Sequence, residues 1–242
     1  VIGGDVVFPM DQAKEVMRNY ADYSQGAPDE LSLDLIMTLP SSGDAGVVVV
    51  HAVYSGDHGN AEQVLAPVAK FGEPVANTVG PADYVALQKV WDNSDPRHGG
   101  DYLKSGFCAE ISDAQIDTIV DGFEADPNRS TTFFYGQSGG AINRVAEDAT
   151  AFPNRNAVSC PTAVVSWNVN ADPEPHVKYI RSYWDTIARY TDGFYTNQGD
   201  FETQADVNKN YGGNYKRLVK IKDRYDPGNL FRLNANVQPS AT

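Results

Sequence analysis

Short runs rich in β-branched and aromatic residues punctuate the chain, and they predict strands over Asp5–Phe8, Leu31–Leu39, Gly46–Tyr54, Thr131–Tyr135, Thr162–Asn168 and Phe194–Thr196. Between them the apolar positions take helical spacing, which predicts helices over Asp11–Tyr23, Ala61–Ala69, Asp113–Phe123, Glu174–Tyr190 and Asn214–Arg224. Within Pro175–Tyr190, the residues Val177, Ile180, Tyr183, Trp184, Ile187 and Ala188 share one stripe, as expected of a helix laid on a sheet. The strands Leu31–Leu39 and Gly46–Tyr54 are joined by the polar turn Ser41-Ser42-Gly43-Asp44, which predicts an antiparallel pair. The expected class is α+β: an antiparallel or mixed sheet covered on one face by helices, with a C-terminal helix–turn–tail extension.

Composition narrows the partners. The 242 residues are 41% hydrophobic, enough for a sizeable core, and no internal repeat interrupts them. A formal net charge of -13 repels phosphate backbones and anionic lipid, so neither nucleic acid nor a membrane is an expected partner. The longest apolar run, Ala45 to Val50, is far short of the roughly 20 residues that span a bilayer. Cys108 and Cys160 make neither a CxxC pair nor a disulfide framework and are expected to be buried thiols. His51, His58, His98 and His176 show no metal spacing and read as ordinary loop or surface residues, so no metal is expected. The loop-like stretch from Asn93 to Gly100 is too short for a linker. The start at Val1 suggests processing or a piece of something longer.

The densest information lies between Asn210 and Val237. As physics alone, Asn214 is placed to cap a helix after a glycine pair, Leu218, Ile221 and Tyr225 share a face, and basic residues crowd the last turns where the helix dipole favours them. Asp226-Pro227-Gly228-Asn229 then stops the helix and turns the chain. Asn234 and Asn236, two apart in a strand-like tail, are expected to point to one side.

As a pattern, Tyr211-Gly212, Asn214-Tyr215, Arg217-Leu218 and Lys222, followed by Tyr225-Asp226-Pro227, Asn229 and Phe231, closely resembles the C-terminal motif of berberine bridge enzyme-like flavoproteins of the vanillyl-alcohol oxidase superfamily. Gly139-Gly140-Ala141 and Thr150-Ala151-Phe152-Pro153-Asn154-Arg155 resemble further segments of that family, with Asn154 where a histidine is usual. Gly3-Gly4-Asp5-Val6-Val7-Phe8-Pro9 resembles its entry strand into the substrate domain.

The resemblance implies a substrate-binding domain over residues 1–200 and a segment over 201–242 that returns toward a flavin domain. It implies FAD as cofactor, mostly held by a domain outside these residues, either in the same protein or on a partner chain, and a small-molecule substrate oxidised by hydride transfer, with oxygen taking the electrons. Nothing in this sequence corresponds to the family's FAD-binding domain, so activity without one is not expected. Phe194-Tyr195-Thr196-Asn197-Gln198 resembles the strand whose side chains approach flavin and substrate. Tyr195 is thereby the candidate proton acceptor, and Asn197, Tyr211, Asn234 and Asn236 are candidates for cofactor contact. Gln137 and Gln198 are candidates for substrate contact, Gln198 standing where some relatives carry an aromatic base. Two rival readings compete: a stand-alone binding module of the same fold, and a serine hydrolase built on Gly136-Gln137-Ser138-Gly139-Gly140 with His176 as base.

Overall fold

The computed structural model describes residues 1–40, 42–90, 99–196 and 203–240, and in it eight strands form one sheet in which every pairing is antiparallel. They are β1 (Ile2–Pro9), β2 (Leu31–Thr38), β3 (Val47–Tyr54), β4 (Ala76–Asn77), β5 (Gly80–Pro81), β6 (Gly99–Ser105), β7 (Thr131–Gln137) and β8 (Ser159–Asn168). The order is β4-β1-β3-β2-β7-β8-β6, with β5 also on β1. The predicted hairpin is present, Leu31 opposite Tyr54 and Thr38 opposite Val47.

Alternation fixes the two faces. Leu33, Leu35, Met37, Val48, Val50, Ala52, Phe133, Tyr135, Ala163 and Val165 are fully buried, whereas their immediate strand neighbours are mostly half-buried. The buried side is covered by α1 (Ala13–Gln25), α4 (Asp113–Glu124) and α5 (Glu174–Ile187), which set Val16, Met17 and Tyr20, Ile116, Ile119 and Phe123, and Ile180, Tyr183 and Ile187 into the core. The α+β class and the covering helix are as the sequence predicts. Buried hydroxyls are tied to backbone: Tyr20 donates to the Leu33 carbonyl at 3.1 Å, and Tyr183 to that of Ile119 at 2.7 Å. Between α4 and α5, Gly122 permits close approach, since a Cβ there would lie 2.5 Å from the Tyr183 ring. The remaining helices are α2 (Ala61–Leu65), α3 (Tyr84–Gln88), α6 (Gln204–Asn210) and α7 (Tyr215–Tyr225).

Three expectations need correction. Phe194–Thr196 is not a strand: Gly193 sits at φ 59°, and the next two N–H groups go to the side chains of Asn210 (2.8 Å) and Ser105 (3.2 Å) instead of a ladder. Asn214 occupies the cap position of α7 but does not cap it, because its Nδ2 donates instead to the Glu147 carbonyl. The tail is not extended at Asn234, which adopts φ 59° and accepts the N–H of Asn236 on its own carbonyl at 2.8 Å, so the pair does not share a strand face.

Candidate functional site

At the β6 end of the sheet, three segments far apart in sequence meet. Phe107, just beyond β6, stacks edge to face on Phe152 at 5.2 Å and on Tyr195 at 6.4 Å. Arg155 lies over the Phe152 ring at 4.9 Å and donates to the carbonyls of Phe152 and Ile142 and to the Thr150 hydroxyl, which holds the loop after β7 in shape. That loop receives the C-terminal segment: Asn214 Nδ2 donates to the Glu147 carbonyl at 2.7 Å and Arg217 to that of Asp148 at 2.6 Å. Gly193 is required beneath, since a Cβ would lie 2.8 Å from Asn210 Oδ1.

Beyond α7 the turn is latched. Asp226 accepts the N–H groups of Leu230 (2.8 Å) and Phe231 (3.0 Å) and pairs with Lys222, which also donates to the Phe231 carbonyl at 2.6 Å. The Lys222 ammonium, ahead of the turn N–H groups, holds the Asp226 carboxyl below its ordinary range. The latch presents apolar side chains outward: Leu230, Phe231 and Leu233 are 77%, 79% and 84% exposed. Ile221 and Tyr225 of α7 are exposed as well, and no residue of that helix is fully buried, Leu218 being half-buried.

On the half-buried face of the sheet, cross-strand register sets Asp5, His51 and Asp34 in one row, His51 directly opposite each carboxylate. His51 Nδ1 lies 2.6 Å from Asp5 Oδ1, their side chains 33% and 48% exposed. The hydrogen bond to Asp5 raises the imidazole pKa against the opposing effect of burial. Burial raises that of Asp34, although its Oδ1 accepts the Gln137 N–H at 3.2 Å. The row continues through Gly136 to Cys160, whose thiol burial pushes up to about 11. Cys108, fully buried, is pushed up to about 12 by the same cause, and both cysteines are free, Cys160 only partly buried. Sequence reading passed over this row, although polar Asp34 and His51 inside alternating strands, at equal distances from the predicted hairpin turn, were its signal.

Comparison with known proteins fits this arrangement. Residues 194–238 match the family profile described as berberine and berberine like. An FAD-linked oxidoreductase of Dictyostelium discoideum is 29% identical over 98% of this chain and 51% of its own length, and an FAD-linked oxidoreductase of Bacillus subtilis, YgaK, is 27% identical over 77% and 42%. Among solved structures, a chitooligosaccharide oxidase superposes with TM-score 0.82 at 20% identity, covering 99% of this chain and 56% of that one. A berberine bridge enzyme-like protein of Physcomitrella patens gives 0.79 at 21%, covering 98% and 54%. The chain is similar to berberine bridge enzyme-like proteins in its C-terminal segment and in its fold. It spans about half the length of the curated relatives it matches.

The berberine-like segment therefore includes Tyr195, Tyr211, Asn234 and Asn236, while Asn197 and Gln198 lie outside the described residues. Tyr195 is 38% exposed at the aromatic cluster. Tyr211, partly buried, lies with its hydroxyl 3.4 Å from the Ala235 carbonyl, and burial raises its pKa. Gln137 borders a cleft of about 500 Å³ with Ser24, Asp29, Ser138 and Asn143, but its own amide is engaged: Oε1 accepts the Leu33 N–H at 2.7 Å and Nε2 donates to the Ser24 carbonyl at 3.1 Å. Asn236 Oδ1 and Asn229 Oδ1 are buried without a partner among the described residues, acceptors suited to the N–H and hydroxyl donors of a flavin. The hydrolase reading fails on geometry, because His176 Nδ1 is bonded to Ser130 Oγ at 2.8 Å and its ring stacks on Trp167, away from Ser138.

Proposed function

We propose that this chain is the substrate-side portion of an FAD-dependent oxidoreductase that oxidises an alcohol, sugar or related small molecule, with oxygen as electron acceptor. The observation that carries the reading is the convergence of the berberine-like segment with the loop after β7 at the β6 end, beside an outward apolar edge of α7 and its tail. Residues 1–200 form the substrate-binding part and 201–242 return to the part that holds most of the FAD, on the same protein or a partner chain.

Bound FAD supplies the hydride acceptor. Asn229 and Asn236 offer it unmatched amide oxygens and Tyr211 a phenol, and the family resemblance adds Asn197 as a further contact. Tyr195 accepts the substrate hydroxyl proton, and its backbone is positioned for this by the bond from its N–H to Ser105 Oγ. Gln198 contacts substrate, and Gln137 shapes the neighbouring cleft through the backbone it braces. In the full-length, flavin-loaded protein, Tyr195→Phe is expected to slow anaerobic flavin reduction by about a hundredfold, the scale of a lost general base. An unchanged rate removes Tyr195 from the chemistry.

A further inference from the structure

We propose that the half-buried sheet face carries a second site, in which His51, held by Asp5 and flanked by Asp34, takes the hydroxyl proton of a phenolic ligand. The inference rests on the proposed function only in treating this face as the substrate side.

The bond between Asp5 Oδ1 and His51 Nδ1 assigns the Nδ1 proton, so the neutral ring presents the Nε2 lone pair. Among the described residues Nε2 has no partner. Both groups opposite His51 are carboxylates, Asp5 from β1 and Asp34 from β2, and each stabilises the imidazolium once formed. The O–H bond of the ligand breaks as the Nε2–H bond forms, giving a phenolate and an imidazolium with no change of oxidation state.

The surroundings select the ligand. Two residues along each strand on the same face stand Val7, Val49 and Ile36, one opposite the next, half-buried beside the dyad. This floor suits an aromatic ring, whereas a polyol would leave hydroxyls unpartnered against valine and isoleucine. A carboxylate or phosphate is repelled by Asp5 and Asp34, whereas a phenol arrives neutral. The dyad is also remote from Tyr195: β3 lies four strands from β6, roughly 19 Å at ordinary strand spacing. It is therefore a site of its own.

The probe is 4-nitrophenol, whose phenolate absorbs in the visible, titrated into the full-length protein at about pH 7, above the ordinary imidazole value, where the ring can still accept a proton. Wild type is expected to bind it with more phenolate than the free probe shows. His51→Gln should weaken binding about tenfold, the loss of one charge-assisted hydrogen bond, and remove the excess phenolate. 4-Nitroanisole, which has no proton to give, should bind both proteins alike. An unchanged phenolate fraction in His51→Gln, or none in wild type, overturns the proposal. If that variant does not fold, Asp5→Asn and the ¹⁵N resonance of His51 Nε2 in wild type decide instead, and a resonance unmoved by 4-nitrophenol overturns it. The readout needs no flavin, so it stands or falls separately from the oxidoreductase reading.

Discussion

Asn214 Nδ2 donates to the Glu147 carbonyl at 2.7 Å, so the C-terminal helix starts on a bond to a loop 67 residues upstream. Asn214 is buried, and Asn214→Ala leaves that carbonyl without its donor. The expected cost is about 1–2 kcal/mol, seen as a fall of a few degrees in Tm. Asn214→Asp keeps the shape but removes the donor and should lose as much. A wild-type Tm in both would mean that the loop takes its donor from water.

Gly122→Ala tests the contact of α4 with α5. Alanine gains up to about 1 kcal/mol of helix propensity, but its methyl would stand 2.5 Å from a buried ring whose hydroxyl is anchored on Ile119. Overpacking of about 1–3 kcal/mol should win, and urea titration should show net destabilisation. A stabilised variant would show that the Tyr183 ring moves freely.

The Asp5–His51 bond predicts a pH signature. Because the folded imidazole pKa is raised, its contribution to stability is complete below the ordinary value of about 6.5 and is lost as pH rises through the higher folded value. Melting curves of wild type and Asp5→Asn should therefore differ most on the acid side of that window and draw together above it. The His51 pKa of the variant, followed by NMR, should fall. Parallel curves at every pH would rule out the coupling.

The parts legible in the sequence share a cause. The strand hairpin and the stripe of α5 bury one face each, and that leaves a period in the residues. The strand β6 was hidden because Gly99-Gly100-Asp101 opens an edge strand with few β-formers. Helix α6 was hidden because Gln204–Asn210 is polar and buries only Val207 and Asn210, its start marked by the Thr203–Asp206 capping box alone. At the site, the motif around Tyr211 to Phe231 was legible as a pattern, but what its side chains hold was not. Asn214 reads as a cap by position, and only tertiary contact shows its amide turned to Glu147. The row Asp5–His51–Asp34 depends on the register of three strands, two of them adjacent in sequence and one not.

The latch after α7 predicts a local effect. Asp226→Ala removes the acceptor of the Leu230 and Phe231 N–H groups and the partner of Lys222. Hydrogen exchange at Leu230 and Phe231 should speed markedly, with little change in the β-sheet. In wild type the folded Asp226 pKa is lowered, so the latch is complete above the ordinary carboxylate value of about 3.9 and is lost as pH falls through the lower folded value. Near neutral pH only the variant should exchange fast. Equal rates in the two proteins would make the latch ornamental to the turn.

The outward edge that the latch presents gives the sharpest test of the proposed assembly. Leu230, Phe231 and Leu233 are each more than three-quarters exposed, and burying such a side chain elsewhere is worth roughly 1.5–3 kcal/mol. Among the described residues they are left mostly uncovered, so Phe231→Ser and Leu233→Ser should leave the melting of the substrate-side sheet unchanged. If they close against the part that holds FAD, the same substitutions should weaken that closure by tenfold or more each. The measurement is flavin retained by the full-length protein after gel filtration, alongside its melting curve. Loss of flavin with an unaltered sheet transition is the expected outcome. Full retention would mean that these side chains face solvent in the assembled enzyme, and the returning role proposed for residues 201–242 would then have to be given up.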